Sequence, residues 1–460
     1  MTKYLNLKNS RFYDCLSRGV RTPSFAFWWH MPLDANRLAW MVARAVVVVS
    51  LAQSLALGRL AAQSSDSAAR YNFIRYDLNE IEFFGDPKKS QFKKFFAAID
   101  SVAAGRKRQV KMLHIGGSHI QSDVWSGQLR TRLYEWFPKT GGARGFIFPQ
   151  KLRRSNGSPT FRVNYTGEWS GAKCTAAKDT IPLGLAGVSA TTTDSLATLE
   201  IILVNDIAHA HAQSRVTFTR AKIFHNRGRY CHRILLADST LRAVQTSLPD
   251  SGYTEFRFEK PMTQLAVQFL KTDSSAGVFT IYGIDLQNDE SGFVYHAVGV
   301  NGAKVSSYLN CELLPDHVRA LAPDLITLSV GLNDASSTEF DARKFEREYD
   351  ELIKMLRRAA PNAAILFTTV TDNYKRRRTL NRNTVAVREV FFSLAKKHHA
   401  AVWDLFSIMG GLESILHWKA AGLAKRDRVH FTPVGYKLIG DLEFDALMKA
   451  YHDKRYAATN

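Results

Sequence analysis

Two kinds of hydrophobic spacing alternate along this chain, and a third replaces them in the middle. Short apolar runs recur at Val110 to Ile115, Phe293 to Val298, Asp324 to Val330, Ala364 to Val370 and Ala401 to Asp404, and each reads as a buried strand. Apolar positions at helical spacing occupy Phe92 to Ala104, Gln121 to Tyr134, Phe340 to Arg358, Asn383 to His399 and Pro433 to Tyr451. Strands alternating with helices predict a parallel sheet with right-handed crossovers. From Phe161 to Gln287 the helical period disappears. Short runs such as Ala197 to Val204, Arg233 to Leu236, Tyr253 to Phe258, Gln264 to Leu270 and Val278 to Asp285 recur there between turn signals. That spacing predicts an all-β sandwich inserted into the α/β unit.

The chemistry sits where the predicted strands end. Val110 to Ile115 stops at Gly116-Gly117, which places Ser118 at the C-terminal edge of the sheet, where open parallel sheets bind ligands. A following helix would aim backbone N–H groups at developing negative charge. A serine hydroxyl still needs a base. His119, as its neighbour in sequence, is expected to point away. Asp427 and His430 lie three apart before Thr432-Pro433, an N-cap followed by Pro at the first helical position. On a turn, that spacing lets the carboxylate hold one imidazole nitrogen while the other faces a serine. Gly331-Leu-Asn-Asp334 follows the strand ending at Val330, so the Asn333 amide is a candidate oxyanion donor. Gly299-Val-Asn-Gly302 follows another strand and offers the Gly302 N–H. Each piece alone is as ordinary as a cap or a turn; the combination and its order carry the information.

Taken together the four blocks resemble the SGNH (GDSL-type) hydrolases. That family places a Ser after the first strand, a Gly after the second, Gly-x-Asn-Asp after the third and Asp-x-x-His before the last helix. The resemblance implies a flavodoxin-like, three-layer α/β/α fold with a parallel sheet. It also implies Ser118 as nucleophile, Gly302 and Asn333 as oxyanion donors, Asp427 as orienter and His430 as base, with no cofactor or metal. One position departs from the pattern: Gly117 stands where the family has Asp. Within the family, the chain resembles the bacterial peptidoglycan O-acetylesterases from about residue 85 to its end. The matching text is His114-Ile-Gly-Gly-Ser-His-Ile-Gln-Ser-Asp123, Gly142-Ala-Arg-Gly-Phe146, Pro182-Leu-Gly-Leu-Ala-Gly-Val-Ser189, Tyr295-His-Ala-Val-Gly-Val-Asn-Gly-Ala303 and Gly422-Leu-Ala-Lys-Arg-Asp-Arg-Val-His-Phe-Thr432. Those enzymes carry a sandwich like a carbohydrate-binding module after the first βα unit, and their likeness places the loops between Thr166 and Ser189 near Ser118. The expected division is a leader over 1–63, the start of the hydrolase over 64–150, the inserted sandwich over 151–290 and the rest of the hydrolase over 291–460.

Composition adds a compartment and a class of partner. Ala45 to Leu57 is an apolar run preceded by Arg37 and Arg44, too short to span a bilayer and suited to a signal-peptide core or an anchor. Periplasmic, envelope or secreted location follows. Of four cysteines, Cys15 lies in the leader, Cys174 and Cys231 can pair in an oxidising compartment, and Cys311 remains. No spacing suggests a metal site, and the histidines at 209 and 211 read as surface residues. The net charge of +20 favours an acidic partner, either cell-wall glycan or a phospholipid surface. Nucleic acid is disfavoured because no binding motif accompanies the charge. The run Lys375-Arg-Arg-Arg378 falls after a strand, near the active edge, and reads as a solvated loop. The expected activity is removal of O-acetyl groups from a bacterial glycan, most simply peptidoglycan. Acetyl transfer to a sugar, or glycan binding by a degenerate site, are the alternatives.

Overall fold

The computed structural model describes residues 71–85, 91–106, 108–137, 141–176, 181–204, 217–228, 232–273 and 277–456. The leader segment, Cys15, Cys231 and the histidines at 209 and 211 fall outside the described residues.

Five strands run parallel in one twisted sheet: Gln109–Gly116, Gly292–Gly299, Leu325–Ser329, Ala364–Thr368 and Ala401–Trp403. Their interiors are almost wholly apolar and buried, as strands covered on both faces require. In spatial order the first strand lies between the second and the third, with the fourth and fifth beyond the third. This is the flavodoxin-like winding, and its switch point falls between the first and third strands. Short edge strands complete the sheet at Ile81–Phe83, which is antiparallel, and Gly141–Ala143. Helices Gln91–Ala103, Trp125–Trp136 and Pro433–Tyr456 pack on one face. Leu314–Leu321, Ala342–Ala359 and Asn383–His398 pack on the other. Ala342–Ala359 shows why: Phe345, Tyr349, Leu352, Ile353 and Leu356 form one apolar stripe, all buried. Asp341 caps its start by accepting from the amides of Arg343 and Lys344. The architecture is three-layer α/β/α.

Between Gly141–Ala143 and Gly292–Gly299 the chain leaves to build two antiparallel sheets, one of six strands and one of four. Their inner faces share a core, with the rings of Phe269 and Phe279 4.6 Å apart across it. Its first strand, Gly145–Ile147, directly follows the hydrolase edge strand, so the two layers are joined by a single residue.

Three local details differ from the expectation. The single helix expected over Gln121 to Tyr134 is two pieces, Ser118–Gln121 and Trp125–Trp136. The break is Asp123, which adopts a left-handed φ of 52° while buried. Its carboxylate accepts from Ser126, Arg130, Arg144 and Ser158 at 2.5–3.0 Å, and these bonds outweigh helical continuity. Burial opposes its ionisation, but the two guanidiniums and the hydroxyls hold the carboxyl well below the usual range. Second, Leu183 to Ser189 is buried, so among the described residues the solvent-facing ones of that region lie in 166–176 and 181–182. Third, the basic run is the tip of a small hairpin, Tyr374–Lys375 paired with Thr379–Leu380. Cys174 and Cys311 are both free and buried.

Glu443 tests the packing of the last helix. It is buried against Trp125, whose indole N–H donates to it at 2.6 Å, and burial pushes its carboxyl up to about 8. A raised carboxylate contributes stability that is complete below its unfolded value near 4.5 and is lost as pH rises through about 8. Glu443→Gln should therefore flatten the fall in Tm between pH 5 and pH 9; unchanged pH dependence would show that Glu443 is not the group responsible.

Candidate active site

Register along the sheet brings the site together. Gly116 at the end of the first strand pairs with Gly299 on one side and Ser329 on the other. Three loops therefore leave the sheet at the same level. Gly117 is the N-cap of the one-turn helix Ser118–Gln121, so Ser118 opens it with its amide unpaired among the described residues. The second loop must press close: a Cβ on Gly299 would sit 2.2 Å from the Gln121 amide and 2.6 Å from the Gly117 carbonyl oxygen. Only glycine fits that contact.

The catalytic candidates then meet. Ser118 Oγ lies 2.9 Å from His430 Nε2, although the two residues are 312 apart in sequence. His430 Nδ1 lies 2.9 Å from Asp427 Oδ2, while Asp427 Oδ1 accepts the amides of Val429 and His430, each at 2.9 Å. Partial burial works against the Asp427 charge, but those amides and the imidazole outweigh it and lower its pKa. The carboxylate thus fixes the tautomer in which Nδ1 carries the proton and Nε2 faces the hydroxyl. The turn is anchored by Thr432, whose hydroxyl accepts from Gly435 N–H at the start of the last helix.

Gly302 adopts φ +84°, and its amide is unpaired among the described residues. Asn333 Nδ2 donates one proton to the Ala303 carbonyl at 3.0 Å, which leaves the second proton free. Gly117 is not forced by space: a Cβ there would meet Asn333 Nδ2 at an ordinary 3.5 Å. His119 turns away from Ser118 to Tyr436 Oη, 2.8 Å away, yet its ring lies 5.4 Å from that of His430. Burial first, and then His430, lowers its pKa to about 3, so it stays neutral and does not repel a protonated His430.

Several positioning residues escape a reading of sequence alone. Gln121 Oε1 accepts Asn301 N–H at 2.6 Å and Tyr308 donates to the Gly116 carbonyl at 2.7 Å, which together fix the Gly302 loop. Asp334 Oδ1 accepts Val305 N–H at 3.2 Å; burial raises its pKa to about 6. From the insertion, Gly187 at φ +63° backs onto Val300 so closely that a Cβ would lie 2.8 Å from it. Arg144, in the block Gly142 to Phe146, reaches the Asp123 carboxylate just beyond Ser118. Gln121 and Arg144 lie within the blocks shared with the resembled esterases, but nothing in those blocks assigned them a role. Among the described residues no group of His, Cys, Asp and Glu could hold a metal.

Residues 279–438 match the family described as GDSL-like Lipase/Acylhydrolase. The matched span takes in Gly302, Asn333, Asp427 and His430; Ser118 precedes it, on the far side of the insertion. The chain contains a GDSL-like acylhydrolase domain, which makes it an ester hydrolase by class. Its fold is shared with a solved peptidoglycan O-acetylesterase at 20% identity and TM-score 0.68, covering 81% of this chain and 99% of that one. A match of that extent takes in sandwich strands as well as the sheet. The acetyl xylan esterase AlAXEase aligns at 24% identity over 34% of this chain and 81% of its own, with TM-score 0.28. The acetylxylan esterase Axe2 from Geobacillus stearothermophilus aligns at 17% identity over 34% and 72%, also with TM-score 0.28. No curated protein matches the sequence.

If Asp427 sets the imidazole tautomer, Asp427→Asn should lower kcat on a simple acetyl ester by roughly 10⁴. The variant should keep its Tm within a few degrees. Activity close to that of the unaltered protein would mean that the backbone alone orients His430.

Proposed function

We propose that this chain is a serine esterase that removes O-acetyl groups from a cell-wall glycan, with peptidoglycan as the substrate. The observation that carries the reading is the Ser118–His430–Asp427 string, held by two 2.9 Å hydrogen bonds at the sheet's switch point. Ser118 Oγ attacks the acetyl carbonyl while His430 Nε2 takes its proton. The tetrahedral oxyanion is met by the N–H groups of Ser118 and Gly302 and by Asn333 Nδ2. His430 returns the proton to the departing sugar oxygen, and water repeats the sequence on the acetyl-enzyme.

The glycan is favoured by what surrounds that chemistry. The solved peptidoglycan O-acetylesterase shares this fold along nearly its whole length. An added sandwich beside the site offers contacts that a small ester never uses, and remote binding energy can be spent on turnover of a polymer. The solvent-facing residues for that role lie between Thr166 and Pro182 and not in the buried Leu183 to Ser189, which supports the Val300 loop instead. An envelope location, from the apolar run at Ala45 to Leu57, is part of the same proposal. The intact string of hydrogen bonds argues against a binding protein with a decayed site, despite Gly117.

Purified protein should release acetate from O-acetylated peptidoglycan, and Ser118→Ala should abolish that release with its fold intact. No acetate from peptidoglycan, alongside hydrolysis of an aryl acetate, would discard the substrate. Full activity in Ser118→Ala would discard the nucleophile.

A further inference from the structure

The basic run that reads as a solvated loop is fastened to the catalytic turn. Tyr374 N–H donates to the Arg428 carbonyl at 3.0 Å, and the Arg428 guanidinium lies over the Tyr374 ring at 5.0 Å. Arg428 is two residues from His430. The hairpin tip 375–378 and the turn 425–430 are therefore neighbours on the rim beside Ser118. The turn is itself tight, closed by Lys425 N–H to the His430 carbonyl at 2.7 Å.

Charge on this rim is one-sided. Arg376, Arg377, Arg378, Lys425 and Arg426 are all exposed, and among the described residues none of them forms an ion pair. Of the carboxylates beside Tyr374 and the turn, Asp427 is committed to His430, Asp372 is buried and Glu413 is exposed. The backbone adds a second sign. Arg376 and Arg377 have φ of 49° and 63°, and Arg378 N–H closes the turn onto Lys375 at 3.1 Å. Such a turn favours Gly or Asn at its centre. Two arginines there keep charge at the expense of backbone strain, which is commonest at functional positions.

We propose that this rim is a cationic subsite that holds carboxylates of an anionic glycan strand beside the ester to be cleaved. The proposal rests on the esterase reading above and narrows it to polymers bearing carboxylates, such as the acidic stem peptides of peptidoglycan. The guanidinium groups supply paired donors for carboxylate oxygens. Long-range attraction concentrates the polymer at the site, and added salt weakens it.

The test compares the full chain with Arg376→Asn/Arg377→Asn/Arg378→Gln, in which Asn suits the left-handed positions. A second variant, Arg426→Gln, spares Lys425, whose N–H closes the turn, and guards against failure of the first to fold. Substrates are O-acetylated peptidoglycan, the same polymer with its carboxylates amidated, and a neutral aryl acetate. Both variants should lose about tenfold in kcat/KM on the native polymer at low salt, mostly through KM. They should lose nothing on the amidated polymer and keep aryl acetate turnover. Raising salt to ~1 M, where screening acts within about 3 Å, should remove the difference. Equal kinetics of all three proteins on native and amidated polymer would overturn the subsite. So would loss of binding to vesicles of anionic lipid with polymer kinetics unchanged, because the rim would then face a membrane. If the unaltered protein releases no acetate from peptidoglycan, the substrate reading fails, and the rim is judged on O-acetylated polygalacturonate against neutral acetylxylan. A preference for the former that both variants lose supports it; no preference overturns it.

Discussion

The hydrogen bond from Ser118 to His430 joins two residues 312 apart, and the rest of the fold is arranged to make it. A serine at a strand end does nothing without a base, and the imidazole that reaches Ser118 comes from the last turn before the last helix. The two meet because the first strand is central in the sheet and the chain returns to its C-terminal edge after every crossover. Gly299, too close to the Gly117 carbonyl for any side chain, presses the second loop against the serine turn. Disturb that contact and Ser118, the Gly302 amide and the His430 imidazole no longer share one level.

Polar support around the site is as specific as the site itself. Asp123 gathers Arg130 and Arg144 into a buried ionic cluster just beyond Ser118. Burying one carboxylate with two guanidiniums is costly; the hydroxyls of Ser126 and Ser158 complete the bonds of the carboxylate, while Arg130 Nε and Arg144 Nη1 find no partner among the described residues. Arg144 sits at the root of the sandwich. The cluster therefore ties the inserted domain to the serine turn. His119 has another form of support: burial and His430 keep it neutral, so it places no charge beside the His430 ring.

Much of this was legible in the sequence, for physical reasons. Parallel strands buried on both faces leave continuous apolar runs, so all five were visible. The helix Ala342–Ala359 showed itself by its stripe, and Thr432-Pro433 marked the start of the last helix. Ser118, Asn333, Asp427 and His430 stood out because each followed a strand or preceded a helix; the structure gathers them, and their roles are the proposal above. What remained hidden depends on long-range contact. The break at Asp123 requires Arg144 and Ser158, which no local pattern brings near. Gln121 and Tyr308 look like surface and core residues until the Gly302 loop lies beside them. The buried stretch Leu183 to Ser189 reads as a loop because its partners, Val300 and His317, are more than a hundred residues away. The basic hairpin has no apolar period, and its place is set by long-range contacts: the Tyr374 N–H to the Arg428 carbonyl, the Arg428 guanidinium over the Tyr374 ring, and Lys375 Nζ on the Ser337 carbonyl.

Everything proposed for this site requires Ser118 to be a nucleophile activated by His430. The most direct test is labelling with a fluorophosphonate, followed by intact mass and peptide mapping. A single adduct on Ser118 is expected, formed in step with loss of esterase activity and slowed by several orders of magnitude in His430→Ala. An adduct on another residue, or full inactivation with Ser118 unmodified, would contradict it.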